Sequence, residues 1–207
     1  MPTTLQDAVD FLQQGGKNGV EIVAGATDWF PARGERPLCQ PILDITKIAE
    51  LQGIERTLQG WRFGAAVTWS DILTADLPNC FAGLKAAARE VGSVQIQNVA
   101  TLAGNLCNAS PAADGVPPLL TLDAAVEIAS LSGVRSVPLT EFVLGVRQTA
   151  LQPGEMVTAV TVPVLPMHVS EGVGCFIKIG ARKYLVISIT MVAALVAVAD
   201  GKIAEAR

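Results

Sequence analysis

Residues 4–14 (TLQDAVDFLQQ) set Leu5, Ala8, Val9 and Leu12 at helical spacing and end at Gly15-Gly16, which predicts an amphipathic helix. The run Val20–Ala24 predicts a buried strand feeding directly into Gly25-Ala26-Thr27-Asp28, where Thr27 or Asp28 can cap a short helix. Ile42–Ile45 predicts a second strand, followed by a helical turn over Lys47–Leu51. Ile54–Leu58 and Trp61–Ala65 flank Gln59-Gly60 as the two arms of a hairpin. Thr68-Trp69-Ser70-Asp71 has the form of a helix start, and the alanine-rich stretch Phe81–Val91 predicts a helix.

The periodicity then lapses. Residues 92–118 hold three Gly and three Pro with few periodic apolar positions, and a long irregular stretch inside a compact domain usually carries function. Strands resume at Ala125–Ser130 and Met156–Val162, with a helical turn over Thr140–Leu144 between them. Pro163–Gly174 reads as a linker. Beyond it, Phe176–Ile179 predicts a strand, and Ile187–Ala199 and Lys202–Ala206 straddle the hairpin turn Asp200-Gly201. A hairpin with few partners is not a stable domain, so the C-terminal unit reads as incomplete.

Composition narrows the function classes. Half of the 207 residues are hydrophobic, enough for a packed core and too many for a disordered chain. The net charge is -4 with no basic cluster, and one Tyr, three Trp and six Phe offer no stacking platform, which argues against nucleic acid. Cys39, Cys80, Cys107 and Cys175 are scattered without a C-x-x-C pair; they read as buried free thiols in a reducing compartment, not metal ligands. Asp7 and Asp10 stand where a signal peptide would need a basic start. The apolar run Tyr184–Ala199 is shorter than the roughly 20 residues that span a bilayer. The expectation is a soluble, cytoplasmic protein.

Two loops carry the candidate chemistry. Ala24, Gly25, Ala26, Thr27 and Asp28 join a strand to a helix; small residues there let a ligand approach the backbone, and free N–H groups attract phosphate oxygens. The same residues also suit a plain tight turn. The second loop, Thr101-Leu102-Ala103-Gly104-Asn105, runs on through Asn108, Ser110 and Asp114. It suits a pyrophosphate cradle, with Asp114 accepting from a hydroxyl, or equally a cap for a helix starting at Gly115 with Pro117 in its first turn. Neither loop has Walker A or G-x-G-x-x-G spacing, so the residues alone indicate only a phosphate-bearing ligand.

The segment Val91–Val126 (VGSVQIQNVATLAGNLCNASPAADGVPPLLTLDAAV) closely resembles the FAD-binding medium subunit of the xanthine dehydrogenase and carbon monoxide dehydrogenase family of molybdenum hydroxylases. Ala24–Asp28 matches the family's upstream A-G-G-T-D element, and Phe142, Gly145, Thr149–Pro153 and Glu155 match a downstream pattern. The resemblance implies an α+β fold: a two-subdomain FAD-binding domain of the vanillyl-alcohol oxidase or PCMH type over 1–166 (subdomains about 1–55 and 56–166). The start of a smaller α+β domain would follow over 167–207. It implies FAD as cofactor, held at its pyrophosphate by Ala24–Asp28 and Thr101–Asn105. Asp114 would be a further polar contact, and Leu151 and Lys178 match positions near the isoalloxazine. It implies an iron–sulfur subunit and a molybdopterin subunit as partners, with electrons leaving to NAD or another acceptor. No metal site and no catalytic side chain belong to this chain on that reading.

Three departures accompany the resemblance. Ala26 and Ala103 stand where the family has glycine, each costing about 1 kcal/mol or more if its φ is positive, and Gln97 stands where the family has arginine. The family's C-terminal domain is also longer than residues 167–207, which leaves a truncated, non-catalytic scaffold subunit as the alternative. Other residues read plainly. His168 is a solvated linker residue, Glu141 and Glu155 flank secondary structure, Arg182-Lys183 is a solvated pair, and Trp29, Trp61 and Trp69 pack in cores.

Overall fold

The computed structural model describes residues 1–15, 19–183 and 185–207; Gly16 and Tyr184, which bound two of the expectations above, lie outside them. Helix α1 (Leu5–Gln14) is capped by Thr4, whose hydroxyl accepts from the Asp7 N–H, and it buries Ala8, Val9 and Leu12 as the spacing predicts. Strand β1 (Glu21–Val23) pairs in parallel with β2 (Ile42–Asp44). It is shorter and more open than a buried strand, because Ile22 is exposed. Between the two lies α2 (Trp29–Arg33), with Asp28 at its N-cap position but no side-chain cap bond. The predicted capping by Thr27 or Asp28 therefore does not occur.

The hairpin of β3 (Ile54–Thr57) and β4 (Gly60–Gly64) leads into α3 (Trp69–Thr74), which starts with the predicted Thr68/Asp71 capping box. Helix α4 (Ala82–Glu90) follows. The stretch expected to be irregular contains three short helices instead: α5 (Val94–Gln97), α6 (Leu102–Asn108) and α7 (Val116–Thr121). Then come β5 (Ala125–Ser130), β6 (Gly133–Pro138), α8 (Leu139–Phe142), β7 (Val143–Gly145), β8 (Gln148–Thr149) and β9 (Met156–Pro163). Strands β3, β4, β9, β5 and β6 form a five-stranded antiparallel sheet in that order. Phe63 of β4 and Trp69, Phe81 and Phe142 are among the fully buried side chains of the core. Sheets of separate strand runs with helices packed beside them make this an α+β protein.

The region expected to be a linker contains α9 (Met167–Ser170), whose Val169 is wholly buried. Strands β10 (Val173–Ile179), β11 (Thr190–Ala199) and β12 (Lys202–Ala206) form a three-stranded antiparallel sheet. Asp200 and Gly201 both have positive φ in the turn between its last two strands, as an Asp-Gly hairpin requires. The C-terminal hairpin does not lack partners, because β10 packs on α4 and β11 on α7. Two glycines permit that contact: a Cβ on Gly174 would lie 2.5 Å from the Cys80 carbonyl oxygen, and one on Gly83 would lie 2.9 Å from that of Cys175. Phe176 and Leu195 are buried in this contact, while the opposite face leaves Val173, Ile177, Ile179, Val192 and Val198 exposed.

Several plain readings change. His168 is paired with Glu205 at 2.6 Å. Glu155 flanks β9 as expected, and it also accepts two hydrogen bonds from Arg135, each 2.7 Å. Only Cys80 of the four cysteines is buried. Among the described residues no helix is long and apolar enough to cross a membrane, and no group of His, Cys, Asp or Glu is placed to hold a metal ion.

Candidate functional site

The two loops meet. A Cβ on Gly25 would overlap the carbonyl of Val99 and crowd the Ala100 nitrogen, so glycine is what allows the first loop to lie against the backbone leading into the second. The second is itself pinned from below: the Trp69 N–H donates to Ala100 O (3.1 Å) and the Leu102 N–H to Val67 O (3.0 Å). Thr101 caps α6, its buried hydroxyl accepting from the Gly104 N–H at 3.0 Å. Capping and backbone pairing therefore fix the second loop, and the close approach of Gly25 seats the first against it.

Between them opens a cleft of about 560 Å³, lined by all of Ala24–Asp28 and by Thr101, Gly104 and Asn105. Among the described residues, the backbone N–H groups of Gly25, Ala26, Thr27, Asp28 and Ala103 donate to no protein acceptor. Unpaired amides at the starts of α2 and α6 suit an anionic group. The charged residues along the wall are Glu21, Asp28, Arg33 and Arg36.

The other expected site residues are distributed differently. Ala103 is 3 % exposed and its methyl belongs to the core, which leaves only its backbone for a ligand. Its φ is not positive, whereas that of Ala26 is 55°; of the two alanines at family glycine positions, Ala26 alone is strained. Gln97 is buried and donates to the carbonyls of Arg89 (3.3 Å) and Val91 (3.0 Å), so it secures the end of α4. Leu151 packs against the core away from the cleft wall.

Asp114 and Lys178 come together beside the α6 end of the cleft without lining it. Lys178 Nζ donates to Asp114 Oδ2 at 2.7 Å and to Glu90 O at 3.2 Å, and both side chains are more than nine-tenths buried. Asp114 Oδ1 is also buried and has no partner. Burial pushes this carboxyl above the usual carboxylate value, and the Lys178 contact offsets only part of that. Asp114 does not cap α7, so the cap reading of the second loop fails at this residue.

Sequence reasoning missed one wall of the cleft, formed by Trp29, Arg33, Arg36 and Cys39, and also Cys107 at the other end, where Asn108 of the second loop lines the cleft. Trp29, expected in a core, stands in the cleft wall, its indole N–H donating to Glu21. The available signal was the i, i+4 spacing of Trp29 and Arg33 on one helical face.

Residues 1–165 match the family described as the FAD binding domain in molybdopterin dehydrogenase. The glyceraldehyde dehydrogenase medium chain of Sulfolobus acidocaldarius is 35% identical over 164 residues, 78% of this chain and 58% of that one. The nicotinate dehydrogenase FAD-subunit of Eubacterium barkeri is 35% identical over 195 residues, 91% of this chain and 64% of that one. The chain thus spans about three-fifths of the length of these curated relatives. A carbon monoxide dehydrogenase structure from Hydrogenophaga pseudoflava shares the fold with a TM-score of 0.89 at 23% identity, covering 100% of this chain and 71% of that one. The chain belongs to the FAD-binding domain family of the molybdopterin dehydrogenases, whose cofactor is FAD.

Proposed function

We propose that this chain is the FAD-binding electron-transfer subunit of a molybdenum hydroxylase, passing electrons from a partner iron–sulfur subunit to NAD or another acceptor while a molybdopterin subunit oxidises the substrate. The observation that carries this reading is the cleft between Ala24–Asp28 and Thr101–Asn105, with its row of unpaired backbone N–H groups. The amides of Gly25–Asp28 and Ala103 would donate to the pyrophosphate oxygens. Asn105 and the Thr101 hydroxyl would complete that end of the site. The unpartnered Asp114 Oδ1 would accept from a cofactor hydroxyl, removing an otherwise unsatisfied buried atom, with Lys178 holding the carboxylate in place. Bound there, FAD supplies the two-electron chemistry, and the protein supplies position and electrostatics.

The domain assignment belongs to the same proposal: residues 1–166 as a two-part domain of the vanillyl-alcohol oxidase type, followed by a smaller α+β domain from 167. Reconstitution tests the function. Protein incubated with excess FAD and desalted is expected to retain one flavin per chain by absorbance and to accept electrons from a reduced iron–sulfur partner. Protein that emerges colourless refutes the reading.

A further inference from the structure

Past the first loop the cleft continues along α2, between Trp29, Arg33, Arg36 and Glu21. Three of these four are satisfied within the protein. Arg36 donates to the carbonyls of Ala32 and Arg33, and Glu21 accepts the Trp29 indole N–H. Arg33 is different. Its Cζ lies over the Trp29 ring, 5.1 Å from the centroid, within range of a cation–π contact. Its Nη2 is buried without any hydrogen-bond partner. A guanidinium nitrogen withdrawn from water with no acceptor is unfavourable, and an acceptor on a ligand in the cleft would correct it.

The other end of the cleft indicates which part of the ligand that would be. There α6 carries Asn105, Cys107 and Asn108, and the Asn105 Oδ1 accepts from the Gly115 N–H at 3.3 Å, next to the Asp114–Lys178 pair. On the FAD reading of the cleft, with the pyrophosphate at the junction of the loops and a ribityl hydroxyl at the unpartnered Asp114 Oδ1, the α2 arm is left for the remaining half of the molecule.

We infer that Arg33, backed by Trp29, forms the subsite for the AMP half of the dinucleotide, donating Nη2 to an acceptor on that half. The inference rests on the FAD reading of the cleft. It makes Arg33 a cofactor-binding residue that favours FAD over FMN, because FMN has no group to reach it.

The test compares wild-type protein with Arg33→Met, which keeps the apolar stem and removes charge and donors. Affinities for FAD and FMN are read by flavin fluorescence, and that for ADP by displacement of FAD. In Arg33→Met, FAD and ADP are expected to weaken about tenfold or more, the scale of a charge-assisted bond, while FMN binds both proteins alike and the apoprotein melts as the wild type does. Should Arg33→Met fail to fold, Arg33→Lys is read in its place, with a smaller loss confined again to FAD and ADP. Unchanged FAD affinity overturns the inference. So do equal losses for FMN and FAD, and so does a wild type from which ADP displaces nothing. A wild type that binds no FAD at all refutes the cofactor assignment itself, and this subsite with it.

Discussion

Lys178, on the first strand of the C-terminal sheet, donates to the carboxylate of Asp114, at the start of α7, across 2.7 Å of protein interior. One oxygen of that carboxylate is thereby neutralised and the other left without a partner. The pair joins two separately formed parts of the fold beside the cleft, so both its strength and its spare acceptor have consequences that can be measured.

Removing the cation leaves a buried, unpaired charge. Lys178→Met is expected to destabilise the apoprotein by about 3–5 kcal/mol, read from urea unfolding. The double variant with Asp114→Asn is expected to lose less than the sum of the two single variants. Strict additivity would show that the pair is not coupled.

Two carboxyls titrate in opposite senses. Burial raises Asp114 above 3.8; a raised folded value means stability that is full below the unfolded pKa and is lost as pH rises through the folded one. Arg135 holds Glu155 below 4.5, so its stabilisation is present above that value and is lost as pH falls through the lower one. Urea midpoints at about pH 3 and about pH 7 check both. The deficit of Glu155→Gln relative to wild type is expected at the higher pH and narrows toward the lower. Asp114→Asn gains on the wild type as pH rises.

Ala26 and Ala103 separate cleanly. Ala26 holds a φ of 55°, so Ala26→Gly is expected to stabilise by roughly 0.5–1 kcal/mol. Ala103 lies in α6 with a buried methyl, so Ala103→Gly is expected to cost about 1–2 kcal/mol through helix propensity and lost burial. Thermal unfolding of the two apoproteins should move in opposite directions, by about 2–4 °C per kcal/mol.

The seam between α4 and β10 depends on Gly83 and Gly174. A Cβ at Gly174 meets the Cys80 carbonyl at 2.5 Å, and neither backbone can yield cheaply. Gly174→Ala is expected to cost about 1–3 kcal/mol, read by chemical unfolding, and to weaken FAD retention by displacing Lys178.

Where side-chain pattern alone decides structure, the sequence was legible. The Leu5/Ala8/Val9/Leu12 stripe, the Thr68/Asp71 capping box and the Asp200-Gly201 turn each appear as expected. Helices α5, α6 and α7 are four, seven and six residues long, too short to show a period, and they persist through caps and tertiary contacts. Strand β6 escapes the pattern because four of its first five residues are exposed and its two valines, Val134 and Val137, fall on opposite faces. At the site, the motif located both loops, yet it could not tell that Ala103 faces the core while Arg33 faces the cleft. Those facts depend on how α6 and α2 are rotated against their neighbours, which no local pattern records.

The central claim is that the meeting of Gly25 with Val99 builds an FAD cleft, and parallel FAD titrations of wild-type and Gly25→Val protein test it most directly. One FAD per wild-type chain is expected. None is expected for Gly25→Val, with the five-stranded sheet still folded by circular dichroism. Equal flavin binding by the two proteins, or none by the wild type, would contradict it.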